Sequence, residues 1–117
     1  MTIGPTFEDS ALSAVTADSA KLVYAGRGYV KRISVAISAT PRWLKVYDKA
    51  TAPASTDTPA WRMWCPIGQT IGDFTQIPIR FKLGLGYRFS LGGANADVAY
   101  TGFADSDAAV NVQYQKG

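Results

Sequence analysis

Asp97, Asp105 and Asp107 are the residues of this chain best spaced for chemistry, since the run ADSDAA sets two carboxylates two positions apart. Oxygens so placed could serve a calcium ion. Calcium takes about six to eight oxygen ligands, and the chain has neither an EF-hand loop nor a glycine–aspartate repeat to supply the rest. Aspartates in turns more often bond to their own backbone, so no metal site is expected. Catalysis has less to work with. The absence of histidine removes the commonest general base, the Ser–His and Cys–His nucleophile systems and the usual zinc ligand. Glu8 is the single glutamate, and the aspartates fall in loops or near the N-terminus, with no acid–base pair at a strand end. The pairs Gly84-x-Gly86 and Gly92-Gly93 do not open a helix, so they make no phosphate loop. No enzymatic activity, cofactor or metal is expected.

What remains is aromatic. Trp43, Trp61 and Trp64, with six tyrosines, could stack on sugars or form a flush protein interface. Trp61 and Trp64 differ by an odd number of positions and so project from opposite faces of one strand. One of them must lie outside the core, where a subunit interface is favoured over a ligand platform. Cys65 ends the same strand, WRMWC. As the lone cysteine it makes no internal disulfide and is expected as a buried, inert thiol.

The elements that carry these side chains have a period of two. Lys21 to Ala25 reads as a strand closed by Gly26 and Gly28. Tyr29 to Thr40 follows, with Ile33, Val35 and Ile37 on one face and Arg32, Ser34, Ala36 and Ser38 on the other. Pro41 predicts a bend or a change of sheet. Leu44 and Val46 then alternate with Trp43, Lys45 and Tyr47, and Lys49 to Pro59 is a loop by composition. Ala60 to Cys65 and Ile71 to Thr75 are further strands. Ile77 to Leu91 carries apolar residues at every odd position, too long for one strand, and is broken near Gly84 to Gly86. Strands at Val98 to Gly102 and Val110 to Tyr114 complete about eight. The reading is all-β: an antiparallel β-sandwich, a jelly roll of about eight strands, spanning residues 20–117 as a single domain. Residues 1–19 are small and polar and read as an extended N-terminal arm, ordered on a neighbouring subunit.

Composition bounds the rest. At 117 residues there is room for one core, and surface scaling buries about two-thirds of the unfolded area. Charged residues are only 18%, which suits equally a surface set against other chains and a small β-domain that uses Ser, Thr and Gly outside. The net charge of +3 comes from cations scattered singly among the strands, read as solvated outer faces, so nucleic acid is not an expected partner. The start MTIGPTFEDS lacks a secretory pattern, and no apolar run is long enough for a membrane span, so synthesis in the cytosol and no membrane partner are expected.

WLKVYDKATAPASTDTP followed by PIRFKLGLGYRFSLGGANADVA resembles a group of small tailed-bacteriophage virion structural proteins. In these a strand ending in KLYNKA leads to TAP, a short spacer and DTP. A G-I-R-F-x-x-G-L-x-Y strand and an acidic ADxD loop come later. Lys45, Tyr47, Lys49, Ala50, Thr51, Ala52, Pro53, Asp57, Thr58 and Pro59 match the first part, and Arg80, Phe81, Gly84, Leu85 and Tyr87 the second. The likeness covers roughly residues 43–100. Asp48 departs from the usual Asn, and Ala94 to Asp97 shortens the acidic loop. The resemblance implies a non-enzymatic capsid decoration or head-spike subunit of the virion, made in the host cytoplasm. Its partners would be copies of itself, with a trimer as first expectation, and the major capsid protein or another virion protein. A tail component and a carbohydrate-binding module of a phage fibre are the alternatives. Interface residues are expected in the arm, at Ile3, Pro5, Phe7 and Leu12, and at whichever of Trp61 and Trp64 faces outward.

Overall fold

The period-two stretches fold as strands. A computed structural model describes residues 9–15, 21–93 and 108–117. Nine strands lie among these: β1 Asp9–Val15, β2 Lys21–Ala25, β3 Gly28–Ile37, β4 Arg42–Asp48, β5 Trp61–Cys65, β6 Gly68–Asp73, β7 Ile79–Phe81, β8 Gly84–Ser90 and β9 Ala108–Lys116. One sheet runs β1-β9-β3, with β6 and β7 end to end at the far side of β3, and the other runs β2-β8-β4-β5. All pairings are antiparallel. Strand β4 pairs with β5, β3 with β6 and β7, β2 with β8 and β1 with β9. The chain is therefore one double-stranded ribbon, folded at the 49–59 loop and wrapped so that β8 lies on β4 and β9 on β3. That strand order is the jelly roll, and the expected all-β sandwich is observed.

The core lies between the sheets. Strand β3 contributes Val30, Ile33, Val35 and Ile37, and β9 contributes Ala108, Val110, Val112 and Tyr114. Leu44, Val46, Cys65, Leu85, Tyr87 and Phe89 face them from the second sheet. Strict alternation would set Val30 and Ile33 on opposite faces. The β3–β9 register shifts between Val30 and Arg32, and this bulge at Lys31 returns both to the inside. The Lys31 carbonyl accepts the amide of Phe74 at 2.7 Å, so the bulge also anchors the end of β6. Each aliphatic side chain buried here contributes about 1.5–3 kcal/mol.

Several expectations are refined. Pro41 does mark a sheet change, from β3 in one sheet to β4 in the other. Within the stretch expected as an arm, Asp9–Val15 is a strand of the sandwich, paired along its whole length with β9. Ile77 to Leu91 breaks at Lys82 and Leu83, and Gly84 and Gly86 lie inside β8. Those glycines serve close approach instead of a turn. A Cβ at Gly84 would come within 2.3 Å of the Lys49 carbonyl oxygen, and one at Gly86 within 2.9 Å of Pro53. Arg42, Lys45 and Arg88 are buried, not solvated. Arg42 lies on the inner face, its guanidinium 5.4 Å from the Phe89 ring centroid and its Nε donating to the Thr40 carbonyl at 2.8 Å. The expected strand at Val98 to Gly102, together with Asp97, Asp105 and Asp107, lies outside the described residues.

Candidate interaction surface

The outer face of the second sheet is built by β4, β5 and β8 in register. Lys45 stands opposite Arg62 on one side and Arg88 on the other, and Trp43 opposite Trp64 and Ser90. A row of three cations thus crosses the sheet beside a pair of tryptophans. Lys45 is fully buried and Arg88 nearly so, while Arg62 is exposed. Arg62 Nη1 donates to the Gly93 carbonyl at 2.5 Å, and Gly93 in turn packs on the Trp43 ring.

The 49–59 loop is seated on this face. Pro53 is buried against Gly86, and the loop is closed by a turn in which the Asp57 amide donates to the Ala54 carbonyl at 3.0 Å. The Asp57 carboxylate receives Lys49 Nζ at 2.6 Å and the Ala54 amide at 2.7 Å. Those two bonds hold its carboxyl below the ordinary value, with the Arg88 charge adding a smaller pull. The residues that carry the phage resemblance therefore make a fixed cover on the sheet, not a free loop.

Asp48 explains where β7 ends. Its carboxylate accepts the amides of Lys82 at 2.9 Å, Leu83 at 2.7 Å and Gly84 at 3.3 Å, a nest of successive N–H groups around one anion. Burial alone would raise this carboxyl. The amides of Leu83, Lys82 and Gly84, with the Lys82 charge, outweigh it and hold the group below its ordinary value.

The two candidate tryptophans separate cleanly. Trp61 turns inward and packs edge-on against Phe74 at the edge of the core, with ring centroids 4.8 Å apart. Trp64 faces out, 45% exposed, with its ring 5.6 Å from Trp43 at 60°. Two rings at that angle make no flat platform, so this pair lends no support to sugar stacking. Among the described residues β5 is the last strand of its sheet, and it leads directly into β6, the last of the other. Along that rim Ile67 is 60% and Ile71 45% exposed. Trp64 points from the outer face of the second sheet and Ile71, opposite Ser34, from the outer face of the first, with Ile67 in the turn between them. Ile3, Pro5 and Phe7 lie outside the described residues, and Leu12 sits in β1 opposite Asn111.

No family model, curated protein or solved structure matches this chain. Sequence reasoning missed Ile67, Ile71, Ile77 and Leu83 as surface residues. Ile77 and Leu83 belong to the odd-numbered apolar row, but Ile77 lies before β7 begins and Leu83 in the break between β7 and β8, so neither follows the core face. Pro78 beside Ile77 was the available signal. Among the described residues no cluster of His, Cys, Asp or Glu could hold a metal ion. Cys65 is buried as expected, and that burial pushes its thiol up to about 11.

Proposed function

We propose that this chain is a non-enzymatic structural subunit of a tailed-phage particle, a capsid decoration or head-spike jelly roll. It assembles with copies of itself and binds the particle surface through a major capsid protein or another virion protein. The observation that supports the assembly part is the exposure of three large apolar side chains, Trp64, Ile67 and Ile71, on β5, on β6 and in the turn that joins them. Large apolar side chains exposed on edge strands favour burial against a partner. The phage part rests on the sequence resemblance, whose matching residues form the seated loop and the β7–β8 strands. Several modest contacts repeated by symmetry would give tight attachment without one strong site.

Light scattering coupled to size exclusion tests this reading. The wild type is expected as a closed oligomer, a trimer first, and Trp64→Ser with Ile67→Ser as a monomer. Because these side chains are exposed, the double variant should lose no more than about 1 kcal/mol of folding stability. A wild type that is strictly monomeric and is not retained by capsids lacking it would overturn the proposal.

A further inference from the structure

An open cleft of about 510 Å³ lies at the other end of the first sheet, lined by Arg27, Tyr29, Arg80, Phe81, Lys82 and the glycines 28 and 117. Three separate elements bring its cations together: the β2–β3 turn carries Arg27, β7 carries Arg80 and the β7–β8 turn carries Lys82. All three are exposed, and among the described residues no acidic side chain lines the cleft. Asp48, which feels the Lys82 charge, has both oxygens engaged by the turn amides. A terminal carboxylate on Gly117 would offset one of the three charges and leave the cleft cationic. Arg80 stands opposite Tyr29 in the register, with its guanidinium 5.3 Å from that ring's centroid, so its planar fork is held in place. At Gly28 a Cβ would strike the Gln115 carbonyl at 2.2 Å, which keeps the floor of the cleft free of a side chain. Strand β7 pairs only with β3 among the described residues, so its other backbone edge is open.

We infer that this cleft receives an extended acidic segment of a partner protein. Carboxylates of the segment seat on Arg27, Arg80 and Lys82 while its backbone lies along the open edge of β7. Arginine forks match carboxylates in a bidentate manner, and a sheet edge supplies main-chain pairing for an extended peptide. Nucleic acid fits less well. The three charges are gathered in one short cleft, and the one tyrosine ring that lines it is already covered by Arg80. The inference rests on the assembly reading only in taking the partner to be a protein.

The test uses fluorescence anisotropy with a labelled octapeptide of alternating Asp and Val, its Asn–Val counterpart, and an oligothymidylate of eight nucleotides. The Asp–Val peptide is expected to bind, to weaken as salt rises, and to lose about tenfold or more in affinity in Arg27→Gln with Arg80→Gln. Lys82→Gln alone should weaken it less. Both variants should melt with the wild type, because the side chains are exposed. Failure of the Asp–Val peptide to bind at low salt, equal binding of the Asn–Val peptide, or unchanged affinity in the double variant overturns the inference. Tighter binding of the oligonucleotide than of the peptide also overturns it, in favour of nucleic acid. A monomeric protein that binds the peptide as described sinks the assembly reading and keeps this one. An oligomer that does not bind it does the reverse.

Discussion

Replacing Asp48 tests how the end of β4 holds the β7–β8 turn. Its carboxylate takes two amides at 2.7–2.9 Å and a third at 3.3 Å, so its removal deletes two good charge-assisted hydrogen bonds and a weak one. Such bonds contribute about 1.5–3 kcal/mol each when shielded from water. Lys82 and Leu83 are exposed, and water reaches their amides once the carboxylate is gone, which lowers the figure to about 1 kcal/mol each. Asp48→Ala should therefore cost about 2 kcal/mol, a fall in Tm of roughly 6–12 °C for a domain of this size. Oδ1 is the oxygen that receives all three amides. Asp48→Asn keeps an oxygen there and loses only the charge, at about 1 kcal/mol or less. The two variants also differ from wild type in their response to acid. The folded Asp48 carboxyl is held below its ordinary value, so its contribution is complete above an unfolded pKa of about 3.9 and is lost as pH falls through the folded value. The gap between wild type and Asp48→Asn should be constant near neutrality and close below about pH 4. Urea melts from neutral pH down to about pH 3 read both quantities. An Asn variant as damaged as the Ala variant, or a gap that persists unchanged at the lowest pH, would refute the reasoning.

Gly84→Ala sets a Cβ 2.3 Å from the Lys49 carbonyl oxygen and should lose about 2–3 kcal/mol, whereas Gly92→Ala meets no atom within 4 Å and should melt with the wild type. Equal melting of the two variants would contradict the close seating of the loop on β8. The Cys65 thiol, pushed up to about 11 by burial, should react with a disulfide reagent near pH 8 no faster than the chain unfolds, and an immediate reaction would show it to be accessible. The Lys49–Asp57 pair is partly exposed, so Lys49→Ala should have a small effect at low salt that vanishes near about 1 M salt. Paired urea melts at the two salt concentrations measure it.

Much of the sandwich is readable from residue spacing. Ile33, Val35 and Ile37 alternate because one face of β3 is buried, and the parity of Trp61 and Trp64 alone predicts that one turns outward. Pro41 signals the sheet change because a proline cannot serve both flanking ladders. The misses share a cause, which is that they depend on distant segments. The bulge at Lys31 is defined by its register with β9. The break at Lys82 and Leu83 is set by a carboxylate on β4, while the glycines that looked like a turn make room for Lys49 and Pro53. Lys45 and Arg88 carry the pattern of a solvated face, and their burial follows only from how the chain covers that face, whereas Arg42 is buried on the inner face against Phe89. Strand β1, DSALSAV, is built from residues of weak strand preference and is placed by β9.

The doubled ribbon also dictates an order of events in time. Its fold point joins β4 to β5 through 12 residues, 49–60, whereas its far end sets Asp9 beside Tyr114. Pairing that begins at the fold point faces the smallest loss of chain entropy, and each later strand pair closes a longer loop. Folding should therefore zip from β4 and β5 outward and finish with β9 sliding between β1 and β3. Strand β9 must have left the ribosome before that last step. A chain cut before Ala108 should remain an unclosed, aggregating intermediate, and a folded, monodisperse truncation would show that the zipper runs another way.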